Sequence, residues 1–398
     1  MDIRIHPRTL RGKIDIIPSK SQAHRLLICA AFADHPTQII CPETSRDMDA
    51  TADCLCALGA DITRTENGYT VIPVNTVPER AVLNCRDSGS TLRFLLPVAG
   101  ALGVDATFLL EGRLPYRPLS PLWEEMERMG CTLTRPTENT VRCQGKLVPG
   151  DYFIDGSVSS QFITGLLYAL SLMDGKSRLT ITGKTESRPY IDLTKDALSL
   201  FGTDPEQPDA GSLHSPGCVT VEGDWSNGAF FLAANCLNIT PGIKIRGLND
   251  RSLQGDRAAA HWIPLLSSQK CTIDASDIPD LVPVLSVVAA ANHGAIFTGI
   301  HRLRIKESDR VASTVTMIRS LGGKAEASED SLTVYGTGLP GGTVDAVNDH
   351  RIAMSAAIAS TVCQNDVIIL GADCVQKSYP KFWEEFSRLG GSYEQYLR

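Results

Sequence analysis

A pattern recurring about every 70 residues constrains this chain more than any other feature. A surface-type helix ending at a glycine, followed by strand signals, occurs at Ala52–Gly59, Leu122–Gly130, Leu193–Gly202, Val315–Gly322 and Phe382–Gly390. Glycine just past a helix supplies the left-handed closing residue. A second helix type, apolar nearly all round and hence buried, recurs at Ser21–Ala33, Thr91–Leu102, Ser160–Met173, Ser226–Leu237, Leu281–Asn292 and Arg351–Val362. Each unit reads strand, buried helix, strand, surface helix, strand, strand. Six units predict an α/β (α+β) fold in two lobes, each made of three βαβαββ repeats around buried parallel helices. The fourth unit is short, since only 53 residues separate Asp224 from Asp277. Leu265–Asp280 leaves no room for a hairpin, so a pair of strands is expected to be missing there.

Length agrees with two lobes, because a single core stops growing near about 250–300 residues and the chain has 398. No apolar run reaches the roughly 18 residues that span a bilayer, and the start shows no signal-peptide pattern. A cytoplasmic protein without a membrane partner is expected. The net charge of −7 argues against nucleic acid as a partner. None of the twelve cysteines forms Cys-x-x-Cys. Cys29, Cys54, Cys56, Cys236 and Cys363 read as free thiols in apolar helical stretches. The histidines lack metal-ligand spacing, so no metal is expected. The surface helices Asp53–Leu58 and Trp123–Met129 look amphipathic, which favours a monomer.

Charge is distributed unusually at the starts of the buried helices. Small polar residues there are ordinary caps. Cations there are not ordinary, because they oppose the helix dipole. Lys20 and Arg25 flank the first helix, and Arg93 lies one turn into the second, with Arg113 and Arg117 following it. Arg188 lies beyond the third; Arg304, Lys306 and Arg310 precede the fifth unit's surface helix. Arg351 begins the sixth buried helix and Lys377 follows it. In an acidic chain this clustering points to a small ligand carrying several negative charges, held in one cleft. Asp280 and Glu307, set among these cations, are acid–base candidates; alone, they read as a helix cap and a solvated ion pair. Gly336-Thr337-Gly338-Leu339-Pro340-Gly341 matches a dinucleotide loop in spacing, but Pro340 and the glycines after it lead to a strand, so it reads as a turn.

With these residues in order, the chain resembles the 5-enolpyruvylshikimate-3-phosphate synthase family over nearly its whole length. The resemblance rests on Pro18-Ser19-Lys20-Ser21 with Arg25, on Asp155-Gly156-Ser157-Val158-Ser159-Ser160-Gln161-Phe162, and on Ser187-Arg188-Pro189-Tyr190-Ile191-Asp192. Leu303-Arg304-Ile305-Lys306-Glu307-Ser308-Asp309-Arg310 and Asn348-Asp349-His350-Arg351 complete it. It implies a two-lobed inside-out α/β barrel, with 13–223 as the first lobe and 1–12 plus 224–398 as the second. It also implies transfer of the enolpyruvyl group of phosphoenolpyruvate to the 5-hydroxyl of shikimate 3-phosphate, without a cofactor, on the route to chorismate and aromatic amino acids. Ser21 and Arg25 would hold the shikimate carboxylate. Ser159, Ser160, Ser187 and Tyr190 would hold its phosphate, and Asp280 and Lys306 its hydroxyls. Arg310 and Arg351 would clamp the phosphoenolpyruvate carboxylate. The Gly89 backbone, Arg117, Gln161 and Lys377 would surround its phosphate. Lys20 and Gln161 would serve both substrates. Asp280 would be the base, Glu307 the proton donor and Lys20 a relay to the leaving phosphate.

Three departures qualify the resemblance. Asp87-Ser88-Gly89-Ser90 stands where the family often has Asn-Ala-Gly-Thr, which bears on phosphoenolpyruvate and glyphosate affinity. Arg302 replaces an Asn in some members and is not assigned a role. The shortened fourth unit loses no motif residue and is expected to alter stability rather than chemistry. Two alternatives remain: the sister enzyme acting on UDP-N-acetylglucosamine, disfavoured by Lys20-Ser21 and by the lack of Cys in Gly112–Arg117, and a non-catalytic polyanion binder of the same fold. The resemblance also implies closure on shikimate 3-phosphate, which excludes water from the reaction. Small-angle scattering is expected to show compaction when that ligand is added, and an unchanged radius of gyration counts against closure.

Overall fold

The computed structural model describes residues 1–206, 213–238 and 242–396. The chain divides into two compact units, one comprising Pro18–Glu222 and the other Met1–Ile17 with Gly223–Arg398. Each has its own hydrophobic core.

The chain opens with strands β1 (Ile3–His6) and β2 (Gly12–Asp15). The unit Pro18–Glu222 then runs α1 (Lys20–Ala31), β3 (Thr37–Ile40), α2 (Arg46–Ala57), β4 (Asp61–Thr65), β5 (Gly68–Ile72). Next come β6 (Arg80–Arg86), α3 (Gly89–Leu102), β7 (Asp105–Leu110), α4 (Leu122–Arg128), β8 (Cys131–Thr134) and β9 (Thr140–Gly145). It closes with β10 (Asp151–Asp155), α5 (Ser160–Ser171), β11 (Arg178–Thr182), α6 (Arg188–Leu200) and β12 (Cys218–Thr220). The other unit continues with α7 (Trp225–Leu237), β13 (Ile243–Arg246) and α8 (Ala259–Ser268). After it come β14 (Cys271–Asp274), α9 (Val282–Ala291), β15 (Ala295–Thr298), α10 (Arg310–Ser320), β16 (Lys324–Ala327) and β17 (Ser331–Tyr335). The last repeat is β18 (Gly342–Asp345), α11 (His350–Ala359), β19 (Val367–Leu370), α12 (Phe382–Arg388) and β20 (Ser392–Gln395).

The sheets follow the repeat. Orders β6-β7-β9-β8 and β14-β15-β17-β16 are complete units, each with a parallel first pair and an antiparallel hairpin. In β18-β19-β1-β20 the N-terminal strand pairs antiparallel with β19 and β20, completing the sixth unit from the other end of the chain. The remaining pairings cross over. β12 precedes α7 in sequence yet pairs with β3, while β2 precedes α1 yet pairs with β13. Residues 13–17 therefore belong with 223–398, and the first crossing falls at Ile17–Pro18 rather than at residue 13.

Two residues separate α8 from β14, so the fourth repeat lacks its hairpin as expected. The third repeat was expected to be complete. Among the described residues it also lacks a hairpin, its sheet being only β10-β11.

All six interior helices form where their apolar stretches lie, and all ten residues of α11 are buried. Ser19, Ser88, Ser159, Asp224 and Asp349 cap α1, α3, α5, α7 and α11 through their side chains. The glycines closing the surface helices have positive φ, including 107° at Gly59 and 83° at Gly322. Gly336–Gly341 joins β17 to β18 without a helix. The cysteines are unpaired; Cys29, Cys54 and Cys363 are buried, whereas Cys56 is exposed. Among the described residues, no helix is long and apolar enough to cross a membrane.

The tightest helix contact joins α3 and α5. A Cβ on Gly165 would stand 2.2 Å from the Arg93 carbonyl oxygen and 3.0 Å from Pro97 Cγ. G165A must push these helices apart, at a cost of about 1–3 kcal/mol. Thermal unfolding should show a lowered Tm, and an unchanged Tm would reject the contact.

Candidate functional site

In the unit Pro18–Glu222 several side-chain hydrogen bonds tie together the starts of the three interior helices. Lys20, the first residue of α1, donates to Asp47 Oδ2 of α2 at 2.9 Å. His24 Nδ1 meets Thr51 Oγ1 at 2.7 Å, and Thr51 meets Thr91 of α3 at the same distance. Burial lowers the His24 pKa to about 3, so the ring is neutral and acts as a strut. Gln161, at the start of α5, donates to Ser90 Oγ at 3.0 Å and accepts from Arg93 Nη1 at 2.7 Å. Gly89 admits Arg117, since a Cβ there would stand 2.6 Å from the Arg117 Nη1. Gly89, Ser90, Arg93, Arg117 and Gln161 are thus brought together by α3, α5 and the turn after Leu114–Tyr116.

Arg25 departs from the expectation of a fork held open for a carboxylate. It is buried, and its Nε donates to Thr194 Oγ1 at 2.9 Å. Nη1 donates to the Ser21 carbonyl at 2.6 Å, and Nη2 donates to the Tyr190 carbonyl at 2.8 Å and to Thr164 Oγ1 at 3.4 Å. These partners fix Ser21 and Tyr190 around α1, α5 and α6, but they are neutral, so the positive charge is not cancelled. Burial lowers the Arg25 pKa. Ser159 and Ser160 are buried at the start of α5. Ser187, just before α6, has φ 54°, a left-handed conformation unusual for a residue with a side chain.

In the other unit the cations meet carboxylates. Arg310, the first residue of α10, is 1% exposed. Its Nη1 donates to Asp280 Oδ1 at 2.6 Å, Nη2 to Glu307 Oε2 at 2.7 Å, and Nε to Asp349 Oδ2 at 2.8 Å. Asp349 also accepts from Ser308 Oγ and from the Arg351 backbone N–H. Arg351 Nη2 donates to Asp280 Oδ2 at 3.2 Å. Among the described residues, Arg351 Nε and Nη1 are buried and have no hydrogen-bond partner. Asp280 is not the cap of α9, whose N-cap is Leu281. Burial pushes the Asp280 carboxyl up, but Arg351, Arg310 and Lys306 outweigh it and hold the pKa well below the carboxylate range. Burial lowers Lys306 to about 8, with Arg302 and Arg310 adding to the effect against Asp280. Lys377 is buried at the end of the turn Ala372–Lys377.

Asp47, Asp349 and Asp256 were not singled out from sequence. Asp349 stands inside the motif Asn348-Asp349-His350-Arg351 without a role of its own, and Asp47 and Asp256 carry no signal beyond a place near a helix start. Arg302, left unassigned, is buried near Lys306.

Fold and side chains define an α/β protein that plants cations at the starts of buried helices, the chemistry of a polyanion-binding protein. The family model for EPSP synthase (3-phosphoshikimate 1-carboxyvinyltransferase) matches residues 5–386. A 3-phosphoshikimate 1-carboxyvinyltransferase of Clostridium kluyveri is 38% identical, over 99% of this chain and 98% of the relative. One from Clostridium beijerinckii is 36% identical, over 99% of each chain. In fold, EPSP synthase of Acinetobacter baumannii matches 99% of this chain and 100% of its own with a TM-score of 0.79, at 22% identity. The enolpyruvyl transferase NikO of Streptomyces tendae matches 99% of this chain and 98% of its own with a TM-score of 0.75, at 17% identity. The chain belongs to the EPSP synthase family.

Removing one member of a buried ion-pair network strands the others. D349A takes two hydrogen bonds from Arg310 and the cap from α11. A loss of about 3 kcal/mol or more is expected in urea-induced unfolding, and a loss below about 1 kcal/mol would show that Asp349 does not hold Arg310 in place.

Proposed function

We propose that this chain catalyses the reaction of its family, moving the enolpyruvyl group of phosphoenolpyruvate onto the 5-hydroxyl of shikimate 3-phosphate and releasing phosphate. The scaffold in this reading is a two-lobed inside-out α/β barrel with three repeats in each lobe. The observation that carries the reading is Arg351. It is a buried guanidinium with Nε and Nη1 unpartnered, next to an Arg310 whose nitrogens are all engaged. Each of these nitrogens is left to donate a charge-assisted hydrogen bond to an anion.

The residues take the following roles. Ser159, Ser160, Ser187 and Tyr190 hold the 3-phosphate of shikimate 3-phosphate, aided by backbone N–H groups at the start of α5. Ser21 and Arg25 hold its carboxylate, for which Arg25 must release the Ser21 carbonyl or Thr164. Lys306 and Asp280 hold its hydroxyls. Arg310 and Arg351 take the phosphoenolpyruvate carboxylate. Lys20, the Gly89 backbone, Arg117, Gln161 and Lys377 take its phosphate.

Three groups move protons. Asp280, ionised and held by two arginines, accepts the proton of the 5-hydroxyl as the oxygen attacks C2. Glu307, hydrogen-bonded to Arg310, delivers a proton to C3 of the enol. The tetrahedral adduct then returns a proton from the C3 methyl to Glu307 and expels inorganic phosphate, with Lys20 supplying a proton to the leaving group. Asp280 and Glu307 both accept hydrogen bonds from Arg310, so changing either carboxylate disturbs the other's partner. Preorganised cations offset the repulsion of two phosphates and two carboxylates brought into contact.

Phosphate release from phosphoenolpyruvate should depend on shikimate 3-phosphate and not occur with UDP-N-acetylglucosamine. R351A should lower kcat/KM for phosphoenolpyruvate by about 100-fold or more, the loss of one charge-assisted pair. No release with shikimate 3-phosphate would leave only a polyanion binder, and release with the UDP-sugar alone would assign the chain to the sister reaction.

A further inference from the structure

The turn Asp87-Ser88-Gly89-Ser90 carries a serine, Ser88, that has no part in the roles proposed for this site. Its side chain ends a buried line of hydrogen bonds. His24 Nδ1 meets Thr51 Oγ1 at 2.7 Å, Thr51 Oγ1 meets Thr91 Oγ1 at 2.7 Å, and Thr91 Oγ1 donates to Ser88 Oγ at 2.8 Å. All four residues are 0% exposed. The last bond fixes the direction of the others, because a threonine hydroxyl has one proton. Thr91 gives its proton to Ser88, so Thr51 must donate to Thr91. The Thr51 proton is then spent, so His24 must donate to Thr51 from Nδ1. Burial keeps the ring neutral, with its pKa lowered to about 3, so a proton on Nδ1 leaves Nε2 bare. Nε2 is buried without a hydrogen-bond partner among the described residues, and an N–H there would be a buried donor left unmade.

The far end of the line holds the residue before Gly89. Ser88 Oγ also accepts from the Thr91 backbone N–H at 3.3 Å. The Ser88 N–H donates to the Cys85 carbonyl at 2.9 Å, and the Ser88 carbonyl accepts from the Leu92 N–H at 3.2 Å. The peptide joining Ser88 to Gly89 is planar and trans. A Ser88 carbonyl held along α3 therefore turns the Gly89 N–H the opposite way, out of the helix start.

We infer that His24, Thr51, Thr91 and Ser88 form a one-way hydrogen-bond chain that positions the Gly89 N–H and so sets the affinity for the phosphate of phosphoenolpyruvate. The inference rests on the reading of the Gly89 backbone as part of that phosphate's site. The four are positioning residues, acting through the Ser88–Gly89 peptide.

The test reads both the ring and the kinetics in the full chain. With 15N-labelled histidine, the free enzyme should show one ring that is protonated at Nδ1, does not titrate between about pH 5 and pH 9, and is lost in H24N. T51V keeps the shape and removes the hydroxyl. It should raise KM for phosphoenolpyruvate about tenfold, the loss of one buried hydrogen bond, and leave KM for shikimate 3-phosphate within about twofold. H24N offers an amide N–H in place of Nδ1 and should hold KM for phosphoenolpyruvate within about twofold of wild type, whereas H24L should match T51V. In an S88A background T51V should add less than about twofold, because the chain acts as a unit. A ring protonated at Nε2, a T51V enzyme with lowered Tm and unchanged KM, equal effects of H24N and H24L, or additive effects of T51V and S88A would each overturn the inference. If T51V or S88A does not fold, the ring and the H24N–H24L pair still decide. Absence of turnover would sink the proposed reaction. The same variants are then titrated calorimetrically with phosphoenolpyruvate in the presence of shikimate 3-phosphate, and equal affinity of wild type and H24L would overturn the inference.

Discussion

The structure depends on placing positive charge where a helix dipole repels it. Arg310 begins α10, Arg351 enters α11 at its second residue, and Lys20 begins α1. Burying a guanidinium or ammonium against an electropositive helix end is unfavourable unless an anion accompanies it. Each of the three has a carboxylate brought from another segment: Asp349 and Asp280 for Arg310, Asp280 for Arg351, Asp47 for Lys20. These pairs join elements far apart in sequence. They do not minimise energy in the way an apolar replacement would, which is why they read as a site rather than as structural staples.

The two units solve the problem differently. In Pro18–Glu222, Arg25 is held by hydroxyls and carbonyls, so its charge stays uncompensated and its field extends toward the neighbouring helix starts. Phosphate, with its two charges, suits such a place. In the other unit carboxylates are plentiful, and Arg310 alone touches three. An acidic surrounding suits acid–base work but opposes anion binding. Among the buried acids of this unit, Asp256 is pushed up to about 7, by burial first and then by Asp280, against Arg351.

Local chemistry was readable from sequence, and long-range pairing was not. The six interior helices stand out because runs such as Phe162–Leu172 are apolar on every face, a property of the residues themselves. The closing glycines are equally local. The crossing at Ile17–Pro18 was misplaced because it depends on β2 pairing with β13, more than 200 residues away, and nothing in Gly12-Lys13-Ile14-Asp15 announces that partner. The glycine spacing makes the third repeat as long as its neighbours and does not tell that, among the described residues, its sheet holds only β10 and β11. At the site the cations were legible, since an arginine at a helix start violates a local rule. Asp349 and Asp47 obey that rule, so only the folded chain distinguishes them from ordinary caps.

The short fourth repeat was expected to affect stability alone. Strands such as Ala295–Thr298 and Val367–Leu370 alternate buried with half-buried residues, so one face of the sheet covers its unit's core. A hairpin removed from such a sheet takes away part of the cover and leaves the helix starts in place. The repeat keeps α7, capped by Asp224, and the turn carrying Asp256. The acid acting most on Arg351 after Asp280 comes from this repeat. A repeat can lose its outer strands and still contribute chemistry, because in this architecture the chemistry resides at the helix starts.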